Sequence, residues 1–425
     1  MSRSQLFKVV AVAALLPMTI TAACGGTTKD ASSSTPGTSS SQAGNSSQPG
    51  GSSGPAVVLG SSLSLTGPLG QFGVGLQKGY EQQISEVNAA GGVNVGGIKH
   101  PVTLTVLDNR SDPNTATAQV RELVLKDNAV ALLGACTPPI VIPEALAAEQ
   151  RKVPIVSSCN PVRAFQAGNT VGWKYAWDLF LDEKDQAANA TRALTMTTSN
   201  KKVALFTDTE PDGVAERPLY KAAFIAAGLQ VVGDYIFPAG TTDFSSFLND
   251  AKAKGAQLVA SQMIPPDGIA LWKQMKALSF SPVAAWGTKA PDSAGWPQAL
   301  GPIAEGTLTE GFWSPSNGNP GSAQLMTTLG KQFPDSFVDL NIAVLGYTVA
   351  KIVTDGLTAA GSTDPTKIND AIGQTNATYP LGPIKFNAQH TAATPDLLTQ
   401  WQSGKLVQIY PPVSGVKLEP MKGLS

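Results

Sequence analysis

The 425-residue chain is poor in the side chains that usually carry chemistry: it has two histidines and three cysteines. His100 and His390 lie far apart and match no metal-ligand spacing, so both read as surface residues. Charge is sparse and nearly balanced, with 30 Lys+Arg against 31 Asp+Glu and 14% charged residues in all. No basic run stands out, which argues against nucleic acid and against a polybasic membrane surface. Catalytic signatures are missing as well. No Gly-x-Ser-x-Gly elbow leads into a helix in the right context, no histidine neighbours a candidate nucleophile, and no glycine-rich phosphate loop ends in Lys-Ser/Thr. Gly70 to Gly75 reads Gly-Gln-Phe-Gly-Val-Gly and does not fit the dinucleotide fingerprint. No catalytic residue, metal site or cofactor is expected; a hydrolase working through a carboxylate pair is a remote alternative.

A membrane span is not expected at the N-terminus either. The apolar run from Val9 to Ala23 has about 15 residues, short of the roughly 20 that a bilayer requires. Arg3 and Lys8 ahead of it, and small residues behind it, make residues 1–23 an export signal. Thr21-Ala22-Ala23-Cys24-Gly25 resembles a bacterial lipobox, with Cys24 as the lipidated residue and Thr21 in place of the usual leucine. An ordinary signal peptide cut nearby is the alternative, and both readings put the protein outside the cytoplasm. Residues 24–54 are dominated by Ser, Gly, Pro, Thr and Gln. That composition cannot fill a core, so the segment reads as a flexible tether behind a lipid anchor.

Residues 55–425 exceed one comfortable core and suit two. Short apolar runs alternate with helical patterns. Val57-Val58-Leu59 with Leu63 reads as a strand, and Gly73 to Ala90 as a helix carrying Leu76, Tyr80, Ile84 and Val87 on one face. Val102 to Leu107 is a second strand. Asp112-Pro113 supplies an N-cap and a first-turn proline for the next helix. The alternation continues through strands at Val130–Leu133 and Val153–Val156, then repeats from Val203 to Trp286. Two runs of βαβα units predict an α/β fold of two doubly wound parallel-sheet lobes. A closing strand pair is expected at Leu397–Gln402 and Leu406–Tyr410. Ligands of such sheets bind at the carboxyl ends of the strands, and two facing lobes make a cleft that a hinge can close. In an oxidising compartment the two remaining cysteines, Cys136 and Cys159, fall at adjacent strand ends and are expected to form a disulfide.

An ordered series of motifs resembles the branched-chain amino-acid receptor family, the type I periplasmic binding proteins of ABC importers. Ser64-Leu65-Thr66-Gly67-Pro68-Leu69-Gly70 is similar to the first strand–helix turn of that family. Gly79, Asn88, Gly91 and Gly92 come next, then Asp108, Asn109, Asp112 and Pro113. Leu133-Gly134-Ala135-Cys136-Thr137, Pro154-Ile155-Val156-Ser157, Ala304-Glu305-Gly306 and Tyr379-Pro380-Leu381-Gly382 continue it, so the resemblance spans roughly residues 56–410. It implies a Venus-flytrap of two lobes with a three-segment hinge. Lobe 1 is residues 55–176 plus 310–385, lobe 2 is residues 177–309 plus 386–425, and crossings fall near Ala176, Glu310 and Phe386. It implies a small carboxylate-bearing solute, an amino acid or an organic or aromatic acid, delivered to ABC permease subunits by a monomeric lipoprotein. A ligand-sensing protein that signals to a membrane partner is the alternative.

Residue by residue, the resemblance puts the solute carboxylate on Thr137, Ser157 and the main chain of Cys159, beside a helix N-terminus, with Ser158 at the same strand end as a further candidate. Phe72 stands where family members place an aromatic over the solute, and Trp177, at the expected first crossing between lobes, is placed as a pocket residue, although each would also pack well in a core. Asp212 and Ile264 stand where the family carries two pocket tyrosines. Lys289 stands where the family carries the glutamate that meets the solute ammonium. A cation there would repel an ammonium and favour an acid, unless Asp212 restores the negative charge.

Overall fold

The computed structural model describes residues 53–424 except 316 and 334–336. The expected export signal, Cys24 and most of the expected tether lie outside the described residues. The first half of the folded region runs β1 (Val57–Leu63), α1 (Gly70–Ala89), β2 (Val93–Val95), β3 (Ile98–His100), β4 (Val102–Asp108), α2 (Pro113–Leu125), β5 (Ala131–Leu133), α3 (Pro138–Arg151), β6 (Ile155–Ser158), α4 (Val162–Ala167) and β7 (Ala176–Phe180). The second set is α5 (Glu183–Thr195), β8 (Lys202–Asp208), α6 (Pro211–Ala226), β9 (Gln230–Phe237), α7 (Ser245–Ala253), β10 (Leu258–Met263), α8 (Pro265–Ala277), β11 (Ala284–Lys289), α9 (Gly295–Leu300) and β12 (Leu308–Gly311). The chain then adds α10 (Ser322–Thr328), α11 (Phe337–Ala360), α12 (Pro365–Gly373), β13 (Asn376–Thr378), β14 (Pro383–Lys385), β15 (Thr391–Ala393), β16 (Leu397–Gln402) and β17 (Lys405–Tyr410).

Local chemistry accounts for these boundaries. Asp112 caps α2 by accepting from the Thr115 amide at 2.7 Å, with Pro113 in the first turn. The apolar strands are buried on both faces, as parallel strands covered by helices must be: every residue of β8 after Lys202 is buried, and so is all of β10 and β11. The first sheet has the order β15-β7-β6-β5-β1-β4 and the second β17-β16-β12-β11-β10-β8-β9. Their parallel strands therefore share one doubly wound winding, with the order reversing beside β1 in one lobe and beside β8 in the other. Only β16 and β17 run antiparallel to their neighbours in these two sheets. In the first lobe α1 lies against α11 so closely that a Cβ at Gly79 would sit 2.0 Å from the Ala343 carbonyl oxygen. Leu340–Ala360 has the length and apolarity of a membrane span, but it is a mostly buried core helix.

Two of the expected crossings shift. β7 is hydrogen-bonded to β6 from Ile155↔Ala176 to Ser158↔Leu179, so the chain leaves the first sheet after Phe180, not at Ala176. It returns after β12, close to the expected Glu310. β15 pairs with β7 through Thr391↔Asp178, which keeps residues 386–393 in the first lobe until the chain passes between Ala393 and Leu397. Phe386 is therefore not the crossing point. Strand pairing decides these positions, and no local composition marks them.

Candidate functional site

The carboxyl ends of the two sheets face one another around a narrow interlobe cavity. Phe72 reaches it from α1, Thr137 from the turn between β5 and α3, and Cys159 from the end of β6. The second lobe contributes Asp212 from the first turn of α6, Lys289 from the end of β11 and Glu310 from β12. Phe180 and Phe312, at two of the crossings, close its side with ring centroids 4.9 Å apart.

The backbone around this cavity is strained. Thr137, Cys159 and Lys289 take φ values of 72°, 56° and 68°. Left-handed backbone costs a non-glycine residue on the order of 1–3 kcal/mol, more for a β-branched one, and such strain collects at functional sites. Thr137 also has a buried hydroxyl with no hydrogen-bond partner. A buried unsatisfied hydroxyl costs about 1–3 kcal/mol, so the turn carries two unfavourable features that a bound group could relieve. The start of α3 offers less than the sequence implied. Pro138 and Pro139 have no N–H, and the Ile140 and Val141 amides both donate to the Thr137 carbonyl at 3.1 and 2.9 Å. The helix dipole remains; the free hydrogen-bonding group is the threonine hydroxyl.

The second-lobe wall is a network of buried ions. The Lys289 ammonium donates to Asp212 Oδ2 at 3.0 Å and makes a still closer contact with Glu210. Burial works against its charge, but Asp212, Glu210 and Asp208 outweigh it and hold the lysine above its usual range. Those three carboxylates lie within 4.8 Å of one another, close enough to hold a cation, and Lys289 supplies one. Burial raises Asp208 to about 8, and the neighbouring lysine only partly opposes it. Glu310 is raised to about 6 by burial while accepting from Thr288 Oγ1 at 2.6 Å and Gln186 Nε2 at 2.8 Å. Burial also lifts Asp292 well above the carboxylate range; it accepts from the Lys289 amide at 2.9 Å and from the Thr309 hydroxyl.

Phe72, Thr137, Cys159, Asp212 and Lys289 meet around one cavity. Four expectations change. Ser157 is outside the cavity wall: it is buried beside Gly134, and its hydroxyl, like that of Thr137, has no hydrogen-bond partner. Ser158 lies beside Cys159, Oγ to Sγ 3.9 Å, and is not in the cavity wall. Ile264 is the N-cap of α8; it is buried in the same apolar cluster as Phe72, Phe180 and Phe312 but does not itself line the cavity. Trp177 alternates out of the cleft altogether. Its indole stacks on His390 at 3.6 Å and 10°, and its Nε1 donates to Asn369 at 2.9 Å. His390 is thus half-buried against a ring rather than a free surface residue.

The expected disulfide is also absent: Cys136 and Cys159 are buried free thiols. Their loops are joined instead by the Thr137 amide donating to the Cys159 carbonyl at 3.2 Å. Cys159 succeeds its strand in the left-handed conformation, so strand adjacency does not carry over to the residues just beyond the strands. Burial, then contact with Cys159, keeps the Cys136 thiol well above its usual range and protonated.

Gln186, Asp292 and Glu310 were not anticipated. A charged residue inside the run Leu308-Thr309-Glu310-Gly311-Phe312 was the available signal for Glu310; Gln186, in the polar helix α5, gave none.

Comparison with known proteins agrees with this architecture. Leu/Ile/Val-binding protein homolog 8 of Brucella abortus is 24% identical over 381 residues, covering 84% of this chain and 90% of that protein. The crystal structure of a leucine binding protein from Thermotoga maritima superposes with a TM-score of 0.74 at 23% identity, covering 83% of this chain and 97% of that one. An ABC-transporter solute binding protein from R. palustris, solved in complex with benzoate, gives 0.71 at 18% identity, covering 83% and 95%. Residues 56–405 match the periplasmic binding protein family, and the chain belongs to that family.

Proposed function

We propose that this periplasmic binding protein captures a small carboxylate-bearing solute between its lobes by hinge closure and delivers it to the permease of an ABC importer. The observation that carries the reading is Thr137: a strained backbone and an unpartnered buried hydroxyl at the α3 N-terminus, inside the interlobe cavity. A carboxylate there would accept from the hydroxyl and sit in the positive end of the helix dipole. Three connections between the lobes let them move as bodies, and the solute contributes its preference for the closed arrangement over the open one. Structural relatives in complex with isoleucine and with benzoate show that one architecture accommodates both solute types, which supports an acid as the common element. The protein acts as a monomer, anchored through Cys24 at the outer face of the cytoplasmic membrane, and alters no bond in its cargo.

Native mass spectrometry of the gently purified protein, paired with small-angle scattering with and without the released compound, tests this. A bound small acid and a compaction on re-addition are expected. A chemically transformed product, or scattering that does not respond to any bound compound, would refute the proposal.

A further inference from the structure

The second-lobe pole of the cavity contains its own cation. Glu210 is the N-cap of α6 and Asp212 lies in its first turn, with Asp208 at the end of β8; two carboxylates and a third carboxyl group so close together would draw an ammonium from solution. Lys289 reaches them from β11, two strands away in the sheet. It is only 7% exposed, and its backbone is pinned in the left-handed region with the amide donating to Asp292. A tethered group of this kind acts at high effective concentration. A solute ammonium would have to displace it, leaving a buried lysine unpaired, or share Asp212 with it against like-charge repulsion.

Two acceptors in the cavity wall are nevertheless unsatisfied. Asp212 Oδ1 and Gln186 Oε1 are buried and have no partner, in residues 3% and 1% exposed. The Gln186 amide nitrogen is committed to Glu310, which fixes the direction of its oxygen. These oxygens call for hydrogen-bond donors, while Lys289 already holds the place of a positive charge. Between this pole and Thr137 the wall is aromatic, built by Phe72, Phe180 and Phe312.

We infer that Lys289 determines specificity: it fills the ammonium nest of Glu210 and Asp212 from within, so the cleft selects carboxylic acids with an uncharged hydrogen-bond donor at the far end and rejects those with a free ammonium there. This rests on the cleft being the solute site and deepens that reading.

Three acids of one skeleton test it by calorimetry: 4-hydroxybenzoate, benzoate and 4-(aminomethyl)benzoate, with leucine as a fourth probe. In the wild type the hydroxy acid should bind tightest, and the aminomethyl acid and leucine at least about tenfold more weakly. Lys289→Ala should reverse the order, making the aminomethyl acid the tightest of the three. The same variant should lose several degrees of Tm, and methylammonium chloride should restore them beyond an equal concentration of sodium chloride, an effect absent in the wild type. Should Lys289→Ala fail to fold, Lys289→Ala with Asp212→Asn, which removes one unpaired carboxylate, takes the same salt comparison. Equal action of sodium and methylammonium on the vacated nest overturns the inference. So does wild-type binding of leucine or the aminomethyl acid as tight as the hydroxy acid; closure on leucine would leave the receptor reading standing and remove only this assignment.

Discussion

Closure should depend on one hydrogen bond that spans the cleft outside the solute cavity. Gln71, near the start of α1 in the first lobe, accepts from the Gly295 amide at the start of α9 in the second, at 2.7 Å. The two residues lie 224 positions apart and meet only when the lobes are together. A neutral hydrogen bond contributes about 0.5–1.5 kcal/mol net, so Gln71→Ala should lower the closed-to-open ratio roughly 2- to 12-fold. Solute affinity should fall by up to the same factor, because the competent population sets the apparent Kd. Gly295→Ala attacks the same contact from the other lobe: a Cβ there would lie 2.3 Å from Gln71 Nε2, so the glutamine side chain must swing away. Each substitution should open the molecule, and the double variant should open it no further than either one alone. The readout is the distance between dyes on the two lobes, with and without solute. Tm is unsuitable, because alanine for glycine in α9 also changes the stability of the second lobe by itself. Additive effects of the two substitutions, or no change in closed population for either, would refute the latch.

Thr137→Val keeps the shape of the cavity and deletes the unpartnered hydroxyl; solute affinity measured by calorimetry should fall about 5- to 10-fold while Tm holds or rises. Glu144 is fully buried with its carboxyl pushed up to about 8, chiefly by burial, while accepting from the Ala135 amide at 3.0 Å. The native state keeps this proton up to about pH 8 and the unfolded chain releases it near 4, so the native state binds more protons in between and stability declines as pH rises through that window. Glu144→Gln, whose amide oxygen still accepts from Ala135, should flatten the fall in Tm between pH 5 and 8; an unchanged slope refutes the assignment. Trp177→Phe should lower stability, since the Asn369 hydrogen bond and part of the His390 stack are lost, yet leave solute affinity within about twofold, because the ring faces away from the cleft. A protein produced from Pro55 should show two thiols reactive with Ellman's reagent once unfolded without reductant, since Cys136 and Cys159 are free.

The repeating units were legible because their signals are local. Apolar runs bounded by Gly and Pro, and caps such as Asp112-Pro113, lie within a few residues of what they determine. The lobes' winding and the strand ends that build the site result from that repetition, which is how Thr137, Cys159, Asp212 and Lys289 came to be placed together. The crossings were less legible, because they depend on which sheet accepts β7 and β15, and that is a matter of long-range pairing. Trp177 and Ser157 failed for a simpler reason. A residue at a strand end faces the cleft or the layer below according to a one-residue register, and an aromatic or a serine is acceptable on either side. The disulfide failed because sequence shows where strands end but not the dihedral angles of the next residue.

Lys289 shows where sequence reasoning stops and electrostatics takes over. Read alone, a lysine at the cleft is an anion receptor; with Glu210 and Asp212 in contact it offers little free positive charge. Those partners lie 79 and 77 residues away in the chain, so no motif announces the pairing. Nor is stability a sufficient reason for it. A buried ion cluster recovers little more than its desolvation cost, and well-packed apolar replacements of similar volume are often neutral or stabilising. What the cluster does provide is a fixed charge pattern facing the solute: a filled cation place, two oxygens that need donors, and a threonine hydroxyl at the opposite pole. A cavity with that polarity distinguishes solutes by the charge of their far end, which apolar packing of the same shape could not do.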